Sequence, residues 1–188
     1  MELVDISHPL SYNLAALVAG LVLATGLIGT VSAAEYLVGP DPDDWWTVYP
    51  DHHPGAGSEV DHPSWVLELL EDGPILILDH STNCEACIKQ EEAANAVLEE
   101  VGEDAIAFEN LIADPNNERA NALFEIYDPN AGTWYIPLTV IITLVEDEEG
   151  NVVVGWHSGE GETGEDWLLS YVEDAIQYHE ENVGDWDA

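Results

Sequence analysis

Polar and apolar positions change their period several times along residues 63–183, and each change predicts an element. Pro63 suits a first helical turn, and SWVLELLEDG then runs to Gly73 with Trp65, Leu69 and Leu70 on one side, which predicts a short helix. PILILD is a continuous apolar run bounded by Gly73 and by HSTN, the pattern of a buried strand. Ala94, Val97, Leu98 and Val101 recur at i, i+3, i+4 and i+7, so the spacing predicts a helix over 84–101. A second strand is predicted over 105–112, after which Ala120, Leu123, Phe124 and Tyr127 restore the helical spacing. The β-prone run 138–145, the acidic turn DEEGN and the run 151–156 predict two strands joined tightly and therefore antiparallel. A closing helix turns Leu168, Tyr171, Val172 and Ala175 inward.

This order predicts an α/β fold with a mixed central sheet flanked by helices. Strands joined through helices are expected to lie parallel, as neighbours or near neighbours. No internal repeat is present.

Upstream, residues 14–34 form an uncharged stretch of 21 residues, long enough at 1.5 Å per residue to cross a hydrocarbon core of about 30 Å. It reads as a retained transmembrane helix rather than a secretory signal cut near Ala33 or Ala34. The apolar run exceeds a signal's core, and the tail 1–13 has no Lys or Arg. Residues 35–62, rich in Pro, Gly and Asp, read as a linker with turns. Tyr36, Trp45, Trp46 and Tyr49 within it either sit at headgroup level or, the favoured reading, cover a face of the domain that follows. His52, His53 and His62 have neither the Cys partners nor the helical spacing of a metal site and read as turn residues. The domain is expected over 63–183, with a C-terminal tail over 184–188.

Composition then narrows the partners. The chain has 39 Asp and Glu against 2 Lys and Arg, a formal charge of −37, which excludes nucleic acid and anionic headgroups as ligands. Leu, Ile, Val and Phe number 51 of 188, enough to bury a core, so the charge is read as a surface adapted to concentrated salt, as in a halophile.

The only two cysteines form Cys84-Glu85-Ala86-Cys87, where a predicted strand gives way to a predicted helix. At a helix start the first thiolate is stabilised by unpaired N–H groups and the dipole, and the second sulfur lies within reach for ring closure. That is the arrangement thiol–disulfide exchange needs, because a mixed disulfide must be released by a neighbouring thiol. A structural clip is disfavoured, since so short a loop yields little entropy. A metal site built from Cys84, Cys87 and His157, with His80 also near in sequence, stays open as the alternative.

The pattern resembles the thioredoxin-like superfamily over about residues 63–183. The matching pieces are PILILD leading into CxxC, Ile136-Pro137 opening LTVIITLV, the turn to NVVVGWHSG and the closing amphipathic helix. The resemblance implies a cis-proline at Pro137 that faces the cysteines and, with Ile136, holds the backbone of a client protein. Departures are equally specific. Asn83 stands where the family has Trp, Glu85-Ala86 where it has Gly-Pro, Leu138 where Thr commonly follows the proline, and Glu92 where the helix carries Pro. The family's buried Asp falls on Leu78, and Asp79 should point to the opposite face. Thr82 and Glu85 have the spacing of a capping box.

These readings imply a membrane-tethered or exported thiol–disulfide oxidoreductase without a cofactor, its C-terminal domain extracytoplasmic. Its expected partners are protein thiols and disulfides and a membrane electron donor or acceptor. A copper or other metal chaperone, or a non-catalytic partner domain of a membrane complex, is the alternative.

Overall fold

A computed structural model describes residues 36–187. The segment 14–34 lies outside them, and among the described residues no helix is long and apolar enough to cross a membrane. The elements follow the predicted order: α1 (Ser64–Leu70), β1 (Ile75–His80), α2 (Glu85–Val101), β2 (Ala107–Ile112), α3 (Glu118–Tyr127), β3 (Leu138–Glu146), β4 (Val152–Glu160) and α4 (Glu165–Asn182), closed by a 3-10 turn at Val183–Asp185.

The four strands form one sheet in the order β2-β1-β3-β4. β1 and β2 pair in parallel across α2, as expected. β3, however, runs antiparallel to β1, with Leu138 opposite Asp79, which corrects the expectation that helix-linked strands lie parallel. The reason is the short return. Ile112 at the end of β2 pairs with His80, and Leu138 at the start of β3 pairs with Asp79. α3 and the loop after it therefore bring the chain back to the end of the sheet where β2 finished, and β3 must descend. β4 returns antiparallel to β3.

Every residue of β1 is buried, as its unbroken apolar run required of a central strand. Its alternate side chains feed two cores. Ile75 and Ile77 join Val66 and Leu70 of α1, Leu123, Phe124 and Tyr127 of α3, and Trp156. Leu76 joins Ala94, Val97 and Leu98 of α2 and Leu168, Tyr171, Val172 and Ala175 of α4. The sheet thus carries two helices on each face. Buried polar groups of α4 are used as ties: His179 Nε2–H donates to the Leu70 carbonyl, and Asn182 Nδ2 to that of Leu144.

The stretch expected as a linker is part of this domain. Trp46 and Trp156 exchange two backbone N–H···O bonds of 2.9 Å, so the segment pairs with the outer edge of β4 and covers it. Consecutive residues point to opposite faces, which sends Trp46 into one core and Trp45 into the other, both fully buried. Tyr36 stacks on Tyr171 at 4.0 Å, and the Tyr171 hydroxyl donates to the Asp43 carbonyl at 2.7 Å, strapping the segment over α4. Pro, Gly and Asp set the turns, while the aromatic rings supply the adhesion.

Candidate active site

Cys84 and Cys87 are joined as a disulfide, with Cα atoms 5.1 Å apart. Cys84 itself is the N-cap of α2, its Sγ accepting the Cys87 backbone N–H at 3.2 Å. This corrects the expected capping box. Thr82 lies two residues before the cap, and the capping bond runs from the Cys87 N–H to the Cys84 sulfur in place of the expected one from the Glu85 N–H to the Thr82 hydroxyl. Cys84 is half-buried at the surface, whereas Cys87 is fully buried beneath it. Glu85 leans along the helix to Lys89, at 3.7 Å, and Lys89 also meets Glu162 at 3.4 Å.

Opposite the disulfide lies the Ile136-Pro137 peptide bond, which is cis. Cys84 Sγ sits 4.0 Å from the Ile136 carbonyl oxygen. Of the residues expected at the site, Cys84, Cys87, Ile136 and Pro137 are therefore brought together. The chain around them is braced. Gly161 N–H donates to the Pro137 carbonyl at 2.7 Å. Buried Gln90, two turns into α2, donates to the hydroxyls of Thr139 and Thr163 and accepts the Thr163 N–H, fixing the loop after β4 against the helix. Glu160 accepts from Asn130 Nδ2 and from the Tyr135 N–H, which holds the loop leading into the cis bond.

His157 does not join the cysteines. Its ring is stacked between Trp46, at 4.2 Å, and Tyr171, at 4.1 Å, and its Nδ1–H donates to the Asp44 carbonyl at 2.9 Å. Burial holds its pKa down at about 4, against the pull of that hydrogen bond. Among the described residues no group of three His, Cys, Asp or Glu side chains could hold a metal ion. The proposed ligand set of Cys84, Cys87 and His157 is thus replaced by an aromatic core position for the histidine. His80 is likewise turned inward, Nε2 against Asn110 Oδ1 at 2.7 Å.

Sequence reasoning placed Asp79 on the face away from Leu78 without assigning it a use. It is fully buried, and neither carboxylate oxygen makes a well-aligned hydrogen bond. Burial pushes its carboxyl up to about 7, against a weaker opposing pull from the backbone N–H of His80. It lines a cavity of about 350 Å³ together with Ala113, Asp114, Phe124, Trp134 and Ile136. Trp134 is 47% exposed and stacks on Phe124 at 5.0 Å, and Tyr135 beside it is 61% exposed. Two exposed rings immediately before a buried apolar strand were the available signal for this surface.

No protein-family model matches the chain, and no curated protein does. Among solved structures, it is similar to a chloroplastic thioredoxin z at 18% identity and a TM-score of 0.41, covering 62% of this chain and 91% of that one. It is also similar to an exposed lipoprotein thioredoxin of Streptococcus pneumoniae, at 14% identity and a TM-score of 0.37, covering 57% and 89%. A thioredoxin from Aeropyrum pernix matches at 18% identity and a TM-score of 0.35, covering 60% and 83%. The chain itself shows a mixed sheet with two helices on each face and, where β1 gives way to α2, the CxxC pair Cys84 and Cys87.

Proposed function

We propose that this chain is a thiol–disulfide oxidoreductase acting on protein clients. The observation that carries the reading is the asymmetry of the pair: Cys84 half-buried at the helix start beside the cis Ile136-Pro137 bond, Cys87 fully buried behind it. In the dithiol form the helix N-terminus and the Cys87 N–H favour the Cys84 thiolate. That thiolate attacks one sulfur of a client disulfide, and the other client sulfur leaves as a thiolate and takes up a proton. Cys87, deprotonated, then attacks Cys84 Sγ. The Cys84–Cys87 disulfide forms, the second client thiol is released, and the client has gained the two electrons that the dithiol lost. The reverse sequence oxidises a client dithiol, and the potential of the couple relative to its electron partner sets the direction.

Ile136 and Pro137 are the residues that hold the client's backbone in this proposal. Residues 14–34, read as an anchor, and a couple suited to a compartment where disulfides persist support an activity at the extracytoplasmic face of a membrane, with a membrane donor or acceptor resetting the pair.

Trapping tests the assignment. Cys87→Ala should accumulate mixed disulfides with client proteins through Cys84, visible as reductant-sensitive bands on a non-reducing gel, while Cys84→Ala should form none. Trapping through Cys87 alone would overturn the order of attack, and no trapping in either variant would overturn the activity.

A further inference from the structure

The cavity floored by Asp79 lies beside the redox pair and has a chemistry of its own. Its walls are apolar: Phe124 stacked on Trp134, with Ile136 and Pro115. Its charged lining is acidic: Asp79 at the floor, fully buried without a well-formed hydrogen bond, and exposed Asp114 at the rim. Neither basic side chain of the protein serves it. Lys89 is held by Glu85 and Glu162, and Arg119 is held by Glu109 and lies over Trp65. A buried carboxyl with no well-formed hydrogen bond is costly unless something supplies one.

Ile136 belongs to both places. Its carbonyl lies 4.0 Å from Cys84 Sγ, and the residue lines the cavity. A client cysteine bonded to Cys84 therefore sits beside the mouth, and an extended chain advances about 3.3 Å per residue. A side chain one or two residues from that cysteine can reach in. At about 350 Å³ the space suits one large side chain.

Resting on the redox reading above, we propose that this cavity selects clients with an arginine within two residues of the reacting cysteine. The guanidinium is planar, can pair with a carboxylate through two N–H groups, and stacks on aromatic faces, so Asp79 and Trp134 both suit it. Lysine, a compact and strongly hydrated charge, fits less well. The elevated pKa of Asp79 agrees with a carboxyl that lacks its counter-ion in the free protein. The site is a specificity pocket and takes no part in the sulfur chemistry.

Two measurements test it. In the first, the reduced protein is mixed with peptides closed by one internal disulfide, carrying Arg, citrulline or Leu next to a cysteine, or Arg five residues away. Adjacent Arg should exchange at least about tenfold faster than citrulline, its uncharged isostere. Distant Arg should recover only the general attraction of a cation to an acidic protein. Within Asp79→Asn, and separately within Trp134→Ala, the Arg-to-citrulline ratio should fall toward that of the distant position. Each ratio is internal to one protein, so altered thiol reactivity cancels. In the second, the oxidised protein is titrated with N-acetylarginine amide while the Trp134 indole N–H resonance is followed. That resonance should shift with the arginine compound and far less with the citrulline analogue.

A ratio unchanged by both variants, or equal shifts with the two amides, overturns the pocket and leaves the oxidoreductase standing. Exchange with no peptide, alongside a selective shift, overturns the oxidoreductase reading and leaves an arginine-binding cavity.

Discussion

Replacing Asp79 with Asn separates the cost of burying a carboxylate from every other acidic group of the chain. The side chain is fully buried with neither oxygen in a well-aligned hydrogen bond, and its pKa stands at about 7 against 3.8 for a free aspartate. A folded-state pKa above the unfolded one means that folding favours the protonated form. Stability is therefore fully present below about pH 4 and is lost as pH rises through about 7. About three pKa units at 1.36 kcal/mol each give a loss of about 4 kcal/mol between those limits. The amide introduced by Asp79→Asn cannot titrate. It has no well-aligned partner either, a fixed penalty of about 1–3 kcal/mol that is the same at every pH. Urea unfolding of both proteins at half-unit steps from pH 4.5 to 8, in constant salt, gives the difference in stability directly. That difference should move by about 3–4 kcal/mol in favour of the variant as pH rises. The remaining carboxylates titrate in both proteins and cancel. A difference constant to within about 1 kcal/mol over this range would refute the argument, because an ionised Asp79 would then be as comfortable folded as unfolded.

Two further outcomes follow from the segment that covers β4. His157, held at about pKa 4 by burial, has a folded pKa below the unfolded value, so its contribution is present above about pH 6.5 and is lost as pH falls through about 4. His157→Phe, which keeps a ring between Trp46 and Tyr171, should lose up to about 3 kcal/mol less stability than the wild type between pH 7 and 4, and an equal acid loss by urea unfolding would refute this. Trp46→Ala should cost about 3–5 kcal/mol in thermal or urea unfolding, since its fully buried ring packs on Trp156 at 4.9 Å, and a cost below about 1 kcal/mol would mean that the segment is not part of the core.

What the sequence displayed was period, and period is enough for strands and helices that bury one face or two. β1 was legible because a short apolar run, Ile75 to Leu78, between turn signals has few other uses. The strand-to-helix position of Cys84 followed from the same pattern. The direction of β3 was not legible, because it depends on where α3 and its loop deliver the chain, and no local periodicity records that. The segment 36–62 was half legible: its rings were expected to cover the domain and do, but its backbone was read as a linker. Its Pro, Gly and Asp content describes backbone turns, whereas its attachment comes from isolated rings such as Trp45 and Trp46 whose partners lie more than a hundred residues away. The sulfur cap of α2 was hidden by its chemistry, since Thr82 is the better capping residue in general and loses here only because the cysteine occupies the capping position.

Charge and cavity act at different ranges around Cys84, and salt separates them. A net charge of −37 draws any cationic client toward the whole surface, an attraction that spans about 10 Å at 0.1 M salt and about 3 Å at 1 M. It raises the rate of encounter without choosing which cysteine is attacked. An arginine seated against Asp79 is instead in contact with a carboxyl shielded from solvent, where screening is weak. Selectivity arising in the pocket should therefore outlast the salt that removes steering. Near the sulfur itself the balance is local as well: Glu85 is 88% exposed at its side chain and shared with Lys89, so its opposition to a Cys84 thiolate is screened, while the Cys87 N–H lies 3.2 Å from the sulfur. The Cys87 N–H is thus the polar group in direct contact with the sulfur, and one of the chain's two basic residues, Lys89, is engaged by the carboxylate beside it.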